Sequence, residues 1–258
     1  MSWKTLETEH DGAILRVWLA RPERRNALDT TALEEITALF AGLQRDFETR
    51  VVILGGRGPS FCGGADRRSP PGHERLAADS GASERERRFA LQLGLRASRA
   101  IEDCEAVTIA RIHGYAIGGG AVLALSCDFR IAAETAQFQL PEVELGLPLT
   151  WGAVARLHHE IGAARTREAV LLCERFDAQR AAAWGAVHRA VPDADLDRVV
   201  EDWARRLAAL PEGAVHMTKT QLRGYALAAR LGDVTESDGD LLGGASRHAS
   251  TRSRFPRD

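Results

Sequence analysis

The stretch IHGYAIGGGAVLALSCD, residues 112–128, decides how the rest of the sequence is interpreted. Its three consecutive glycines, residues 118–120, fall between a predicted strand at residues 107–112 and a predicted helix at residues 120–126. Glycines at a helix start leave backbone N–H groups uncovered because they carry no Cβ, and those unpaired groups give the helix start a partial positive charge. Such a corner is suited to an oxygen that gains negative charge during a reaction. A tight turn that only permits close packing would show the same pattern.

A second corner of this kind lies upstream, at residues 60–66, which read SFCGGAD. It follows a strand-like apolar run at residues 51–55. Two strand ends of this type can each offer one backbone N–H to the same oxygen, which would give an oxyanion site made of two amides.

Further motifs accompany these two corners in a distinctive order. They make the chain similar to the enoyl-CoA hydratase/isomerase (crotonase) family, on the motifs RPERRNAL, SFCGGAD, HGYAIGGG, CDFRIA, AQFQLPEVELGLP and WGAVHRAVP. The resemblance covers residues 3–193 and implies an α/β fold: a crotonase-like spiral of repeated ββα units with a C-terminal α-helical region. It further implies that residues 1–195 form the spiral core with the CoA and acyl sites. Residues 196–258 would then form a helical oligomerisation region.

Length and composition set the broad class of the protein. The 258 residues suffice for one large domain or two small ones. A net charge of −2, spread along the chain, favours neither nucleic acid nor a membrane surface as a partner. The four cysteines lack CxxC spacing, which is typical of reduced thiols in a cytosolic protein rather than a disulfide framework or a zinc site. With no apolar signal core at the N-terminus, we expect a cytoplasmic protein.

The hydrophobic pattern predicts alternating strands and helices. A hairpin that turns at Asp11 and Gly12 opens the chain, and Asp29 or Thr30 is placed to cap a helix at residues 32–45. Residues 67–88 are rich in proline, glycine, serine and charge; they predict a loop, either a solvated surface segment or a flap over the acyl pocket. Predicted strands follow at 129–133, 136–140 and 187–191, and predicted helices at 83–103, 150–161, 164–172, 178–184, 196–209 and 213–231. The end, residues 246–258, is basic and turn-rich, and we expect its last residues to fray.

The family resemblance assigns roles to residues of both corners. Matched residue by residue, it implies that the backbone amides of Ala65 and Gly119 bind a thioester carbonyl oxygen, and that Gly63 contacts the adenine of CoA. Arg24 and Arg25 could donate bidentate hydrogen bonds to CoA phosphates, although exposed arginines are often merely solvated. CoA would thus arrive as part of an acyl-CoA substrate, with no permanently bound cofactor and no metal.

The glutamates distinguish possible reactions. The resemblance implies that a hydratase of this family uses two glutamates to hold one water molecule. Only the second of them, Glu142 of the PE motif, is present in this sequence. Val122 occupies the other position, which argues against simple hydration. We expect Glu142 to be the acid/base, with a pKa raised by the apolar residues around it. Glu144 would lie on the same side of an extended segment, either as a second carboxylate or, as we favour, as a solvated one.

Several other residues have competing interpretations. Val122, Leu140 and Trp151 are candidates to line the acyl pocket; the indole of Trp151 could narrow that pocket or serve only packing. His113 is expected to make a structural hydrogen bond. Asp66 is interpreted as a carboxylate that caps the turn after it.

Two hypotheses about function follow from these residues. The first is an acyl-CoA enzyme in which one carboxylate shifts a double bond from the Δ3 to the Δ2 position, with hydration by Glu142 as its alternative and decarboxylation or C–C cleavage as a third. The second is a non-catalytic CoA-binding homologue that keeps the fold, which the valine at position 122 favours. The resemblance also implies a homotrimer, or a hexamer made from two trimers.

Overall fold

Two β-sheets organise the computed structural model, which describes residues 2–228 and 237–245. The larger sheet consists, in spatial order, of β1 (Leu6–Asp11), β2 (Ile14–Leu19), β3 (Val51–Gly56), β4 (Val107–Ile112), β6 (Phe129–Ala133) and β9 (Arg189–Val191). The smaller sheet consists of β5 (Tyr115–Ile117), β7 (Gln137–Gln139) and β8 (Phe176–Asp177). In the larger sheet the first pair is antiparallel and every later pair is parallel, so the connections after β2 must cross over between parallel strands.

Helices cover both faces of the larger sheet. In chain order they are α1 (Thr30–Gly42), α2 (His73–Leu76), α3 (Glu84–Leu91), α4 (Leu93–Glu102), α5 (Gly119–Leu125), α6 (Ala153–Leu171), α7 (Ala178–Trp184), α8 (Leu196–Ala209), α9 (Glu212–Ala228) and α10 (Asp238–Ala245). Side chains of β2 alternate between the faces: Leu15 and Val17 join the main core under α1, α4 and α5, whereas Ile14 joins a smaller cluster under α8. The predicted α/β class with a C-terminal helical region is confirmed.

The opening hairpin and the first helix follow the sequence prediction closely. The ladder ends at the pair Asp11 and Ile14, so Gly12 and Ala13 form the turn, one residue later than predicted. Gly12 has a φ of 58°, which a residue without Cβ adopts at no steric cost. Asp29 caps α1 by accepting a hydrogen bond from the Ala32 amide at 2.9 Å, as predicted.

The helices in the middle of the chain differ from the prediction. The single helix expected at residues 83–103 is two helices, because Gln92 leaves the helical conformation between α3 and α4. By contrast, the division expected between helices at 150–161 and 164–172 is confirmed, because α6 is kinked at Gly162, whose backbone is non-helical at φ 76°. The loop predicted at residues 67–88 contains α2, and the Gly72 amide binds Thr30 Oγ1 at 2.8 Å.

The last part of the chain is described only in part. Helices α8, α9 and α10 confirm a helical C-terminal region, but the end of the helix predicted at 213–231 and the basic segment at 246–258 lie outside the described residues. Among the helices that are described, none is both long enough and apolar enough to cross a membrane.

Candidate active site

The two glycine-rich corners lie directly against each other. The Ile117 amide donates to Cys62 O at 3.0 Å, and the Cys62 amide donates to Tyr115 O at 2.9 Å. A Cβ built on Gly64 would lie 2.8 Å from Ile117 O and 3.7 Å from the Gly119 nitrogen. Only glycine fits at position 64, because a Cβ would collide with Ile117 O and because other residues rarely adopt its φ of 90°. The segment that carries Ala65 therefore reaches the start of α5.

The backbone amides of Ala65 and Gly119, the two predicted oxyanion donors, are unpaired within the described residues. Leu28 pairs with the two neighbours of Ala65, since its N–H binds Gly64 O and its carbonyl accepts from Asp66, each at 2.8 Å. Gly119 is the first residue of α5, where no intrahelical acceptor exists. Within residues 2–228 and 237–245, no protein acceptor receives a hydrogen bond from the amide of Ala65 or of Gly119. Ala65 is exposed, whereas Gly119 is buried next to Trp151.

Asn26 holds the first corner in place. Its side-chain amide is buried and donates to Arg57 O at 2.9 Å and to Ser60 O at 2.8 Å. Its Oδ1 accepts from the Arg21 amide at 2.9 Å. The sequence analysis did not single out this residue, although its place in the RPERRNAL motif was a usable signal. The 60–66 corner is thus fastened to the loop that precedes α1.

Asp66 is the turn cap that the sequence predicted. Its Oδ1 accepts from the amides of Arg68 and Ser69, at 3.0 and 3.2 Å. Its Oδ2 pairs with Arg21 at 3.0 Å and with Arg24 at 3.7 Å. Burial alone would raise the pKa of Asp66, but the two amides and the guanidinium groups hold it below its usual value. The side chain is 4 % exposed, which suits a structural carboxylate.

The residues expected to meet CoA lie beside this corner. The Gly63 amide donates to Arg25 O at 2.8 Å, and a Cβ on Gly63 would come within 3.3 Å of the same oxygen. Arg25 has a φ of 52°. The guanidinium of Arg24 is directed to Asp66. All three residues are therefore grouped at one corner, next to Ala65.

Glu142 lies against the second corner. It follows β7 and Pro141, and its carbonyl accepts from the amides of Leu145 and Leu147 at 3.0 and 2.8 Å. Its Oε1 lies 2.7 Å from where a Cβ on Gly118 would sit, so a side chain at position 118 would collide with the carboxyl group. Gly118 itself has a φ of 50°. This contact with Glu142 is a second role for a glycine that the sequence had marked only for its place in the triplet.

The carboxyl group of Glu142 is buried, and no charged side chain of residues 2–228 and 237–245 pairs with it. Its Oε2 has no hydrogen-bond partner among the described residues. Burial raises the pKa of Glu142 to about 7, while a hydrogen bond within its own residue opposes that shift. A carboxyl group with this pKa can accept and return a proton near neutral pH.

Neither Val122 nor Glu144 places a second carboxylate beside Glu142. Val122 is 1 % exposed on α5 and offers no acid or base. Glu144 is exposed, because the chain turns directly after Pro141 instead of continuing in extended conformation. The period-two argument for Glu144 was therefore wrong, and the solvated interpretation is confirmed. Leu140 is 2 % exposed and lines a small apolar cavity of about 20 Å³ together with Ala121 of α5.

Trp151 lies over the start of α5. A Cβ on Gly119 would lie 2.4 Å from Cζ3 of its indole, and a Cβ on Gly94 would lie 1.8 Å from Cε2. The indole is thus in contact with the residue whose amide is a predicted oxyanion donor. Gly94, on α4, was not predicted to take part in the site, and no local pattern marks it.

His113 makes structural contacts, as the sequence analysis expected. One ring nitrogen lies 2.8 Å from Gly58 O and the other 2.9 Å from the Arg111 guanidinium. It lines a surface cavity of about 340 Å³ beside α8, together with Trp18. Within the described residues no group of three or more histidine, cysteine or carboxylate side chains could hold a metal ion.

This fold and these side chains define an α/β protein in which two glycine-rich strand ends meet beside an isolated buried carboxyl group. A family model described as enoyl-CoA hydratase/isomerase matches residues 9–253. The chain belongs to the enoyl-CoA hydratase/isomerase family of enzymes.

Individual relatives agree with this family. A short-chain-enoyl-CoA hydratase of Clostridium acetobutylicum is 30 % identical over 212 residues, which cover 82 % of this chain and 78 % of the relative. A carnitinyl-CoA dehydratase of Salmonella enteritidis is 34 % identical over 206 residues, covering 80 % of this chain and 73 % of the relative. A solved enoyl-CoA hydratase/isomerase from Xanthobacter autotrophicus superposes with a TM-score of 0.84 at 28 % identity, covering 98 % and 97 % of the two chains. The crotonase-like fold expected from the sequence is thereby confirmed.

Proposed function

We propose that this protein is an enoyl-CoA isomerase that shifts the double bond of a 3-enoyl-CoA to the Δ2 position. The thioester oxygen would lie between the amides of Ala65 and Gly119. The Glu142 carboxylate takes a proton from C2, and the electron pair of that C–H bond moves into a dienolate whose charge the two amides stabilise. C4 then receives the proton from Glu142 as the C2–C3 double bond forms, which regenerates the carboxylate.

The isolation of the Glu142 carboxyl group carries this proposal. A double-bond shift needs one group that removes a proton and returns it to another carbon, and a buried carboxyl group with a pKa of about 7 is suited to both steps. Hydration also needs a water held in a fixed position. The apolar Val122 supplies no second polar group for that purpose.

A comparison of two substrates tests the proposal. Purified protein is offered a 3-enoyl-CoA and a 2-enoyl-CoA of equal chain length in separate assays, with product identified by chromatography. We expect kcat/KM for isomerisation to exceed that for hydration. Faster hydration would reverse the assignment, and binding without turnover of any thioester would favour a non-catalytic CoA-binding role.

Hydration is the second candidate, and the names of the relatives favour it. The matched proteins include a short-chain-enoyl-CoA hydratase and a crotonyl-CoA hydratase. In this chain Glu142 would have to activate the water alone, since Glu144 is exposed. The same pair of assays separates hydration from isomerisation.

CoA binding and assembly complete the proposal. Gly63, Arg24 and Arg25 would contact the CoA portion of the substrate, which leaves with the product, so the enzyme needs no resident cofactor. Residues 1–195 would form the catalytic core and residues 196–258 the region that joins subunits into a homotrimer or a hexamer. The four buried thiols suit a reducing compartment, and we assign the protein to the cytoplasm.

A further inference from the structure

Trp151 occupies a position that two glycines on separate helices leave open. Its indole lies between Gly94 of α4 and Gly119 of α5, close enough that a Cβ on either glycine would overlap the ring. Those two glycines are thus required by this indole. Trp151 as a whole is half-buried and packs against the main core.

The backbone of Trp151 is strained and firmly held. Its φ is 62°, a conformation that bulky residues rarely adopt and that persists only where the surroundings impose it. Its carbonyl accepts from Ser98 Oγ at 2.8 Å and from Arg156 Nη1 at 2.7 Å. The next amide, that of Gly152, donates to Asp238 of α10 at 2.8 Å. Such strain is characteristic of functional sites, where it fixes a side chain in one place.

Arg156 and Ser98 are themselves fixed in the interior. Ser98 is fully buried on α4, and the Arg156 side chain is 4 % exposed and pairs with Glu102 at 2.6 Å. These contacts hold the backbone of Trp151, and its indole is confined between Gly94 and Gly119, which makes the ring a rigid wall. A rigid wall excludes a group that overlaps it, whereas a mobile side chain would rotate away.

From these contacts we infer that Trp151 determines acyl specificity: it restricts the site to acyl thioesters that are unbranched at C2. This inference rests on the proposed function, because it takes the thioester oxygen to bind at the Gly119 amide. The carbonyl carbon and C2 then lie beside Gly119, in the region that the indole borders. A methyl branch on C2 would meet the ring, whereas a straight chain passes it.

Binding of two saturated thioesters tests this inference without relying on turnover. Calorimetry with butyryl-CoA and 2-methylbutyryl-CoA gives the ratio of their affinities for the wild type and for Trp151→Gly. Glycine tolerates the positive φ at this position, so the variant is expected to fold. We expect the wild type to prefer the straight chain by about tenfold or more, the range in which one methyl-sized group is discriminated. Trp151→Gly should bring the ratio close to one.

Two further variants complete the design. Trp151→Phe, which retains a smaller ring, should shift the ratio in the same direction by less. Trp203→Phe alters an indole that packs on Phe129 on the α8 face of the sheet, 5.4 Å between ring centroids, and should leave the ratio unchanged.

Three outcomes would count against the inference. Equal affinity of the wild type for both thioesters, or an unchanged ratio in both Trp151 variants, overturns the role of Trp151 while leaving the acyl-CoA function intact. If the wild type binds neither thioester, the proposed function fails as well, and with it the inference.

Discussion

Glu142 illustrates how position alone sets the chemistry of a side chain. Within the part of the chain that the structure describes, no cation pairs with its carboxyl group, and burial dominates its pKa, which rises to about 7. The two glutamates of the PEVELG segment end in different environments, because the turn after Pro141 leaves Glu144 exposed. Two residues of the same type, two positions apart, thus lie in different environments.

Replacing Glu142 by glutamine should remove the proton-transfer group while preserving its shape. We expect kcat to fall by about 10²–10⁴, the usual contribution of a positioned acid/base. In the wild type, kcat/KM should rise with pH through about 7, because the carboxylate form removes the proton. Steady-state assays on a 3-enoyl-CoA between pH 5 and 9 measure both effects. A variant with wild-type turnover would exclude this role, and Glu144→Gln serves as the matched control with unchanged kcat.

The same carboxyl group should make stability depend on pH. Its folded-state pKa of about 7 lies above the ordinary 4.5, so the folded protein binds more protons than the unfolded chain between those values. The stabilising contribution is present below pH 4.5 and is lost as pH rises through 7, at most about 3 kcal/mol. Glu142→Gln should therefore unfold at a higher temperature than the wild type at pH 8 and at a similar one at pH 5. Thermal melts at both pH values test this, and a variant less stable at pH 8 would contradict it.

Some residues of the candidate site could be predicted from the sequence, and others could not. Glu142, Ala65 and Gly119 were singled out because they stand in recognisable motifs. The contact between Gly94 and Trp151 could not be predicted, since the two residues lie far apart in the chain and meet only in the folded molecule. Local sequence patterns indicate backbone conformation and burial, but they do not indicate which distant glycine contacts a given side chain.

At the scale of elements, length explains some differences between prediction and structure, although the three-residue strands β7 and β9 were predicted. The six-residue strands β2, β3 and β4 carry enough apolar residues to be recognised. Strands β5 and β8 have three and two residues, too few to show alternation. The break at Gln92 was also hidden, because glutamine is a good helix former and gives no signal that α3 ends there.

Helix α9 offers a test of an element held by one buried cation. Lys219 Nζ donates to Ala106 O at 2.7 Å and to Asp128 Oδ2 at 2.6 Å, and its side chain is 10 % exposed. Lys219→Met should destabilise the protein by about 1.5–3 kcal/mol, the usual contribution of hydrogen bonds to a charged group. For a chain of this size that lowers Tm by several degrees.

A second pair on the same helix provides the control for that prediction. Arg223 binds Asp103 at 2.8 Å, but both side chains are about a third or more exposed to water. Surface ion pairs contribute about 0–1 kcal/mol, so Arg223→Met should change Tm little. Equal melting temperatures for Lys219→Met and the wild type would show that α9 is not fastened by this lysine.

At the scale of the whole molecule, one C-terminal helix, α10, contacts the candidate site, and another, α9, lies at the outer surface. Asp238 of α10 binds the amide next to Trp151, and Gly239 and Gly243 pack on Leu91 of α3. The resemblance predicted a helical C-terminal region, but a contact with the site could not be expected from it, because the prediction assigned those helices to subunit contacts. One part of the region therefore faces inward.

Helix α9 faces outward with an apolar surface opposite its anchoring side. On one side of α9, His216, Lys219 and Arg223 pair with acidic residues of the rest of the chain. Met217, Leu222 and Tyr225 lie away from that side and are 65 %, 65 % and 76 % exposed. Large apolar side chains grouped on one helix face are typical of an interface. This surface supports the proposed trimer or hexamer.

Light scattering on the full-length protein tests that assembly. We expect the wild type to have the mass of three or six chains. Leu222→Glu combined with Tyr225→Glu should yield a smaller species, because charges placed in an apolar interface lose their hydration without gaining a partner. Leu171→Glu, at an exposed leucine on α6, is the control for the change in charge and should keep the wild-type mass. A monomeric wild type at micromolar concentration, or a double variant of unchanged mass, would mean that this face of α9 does not join subunits.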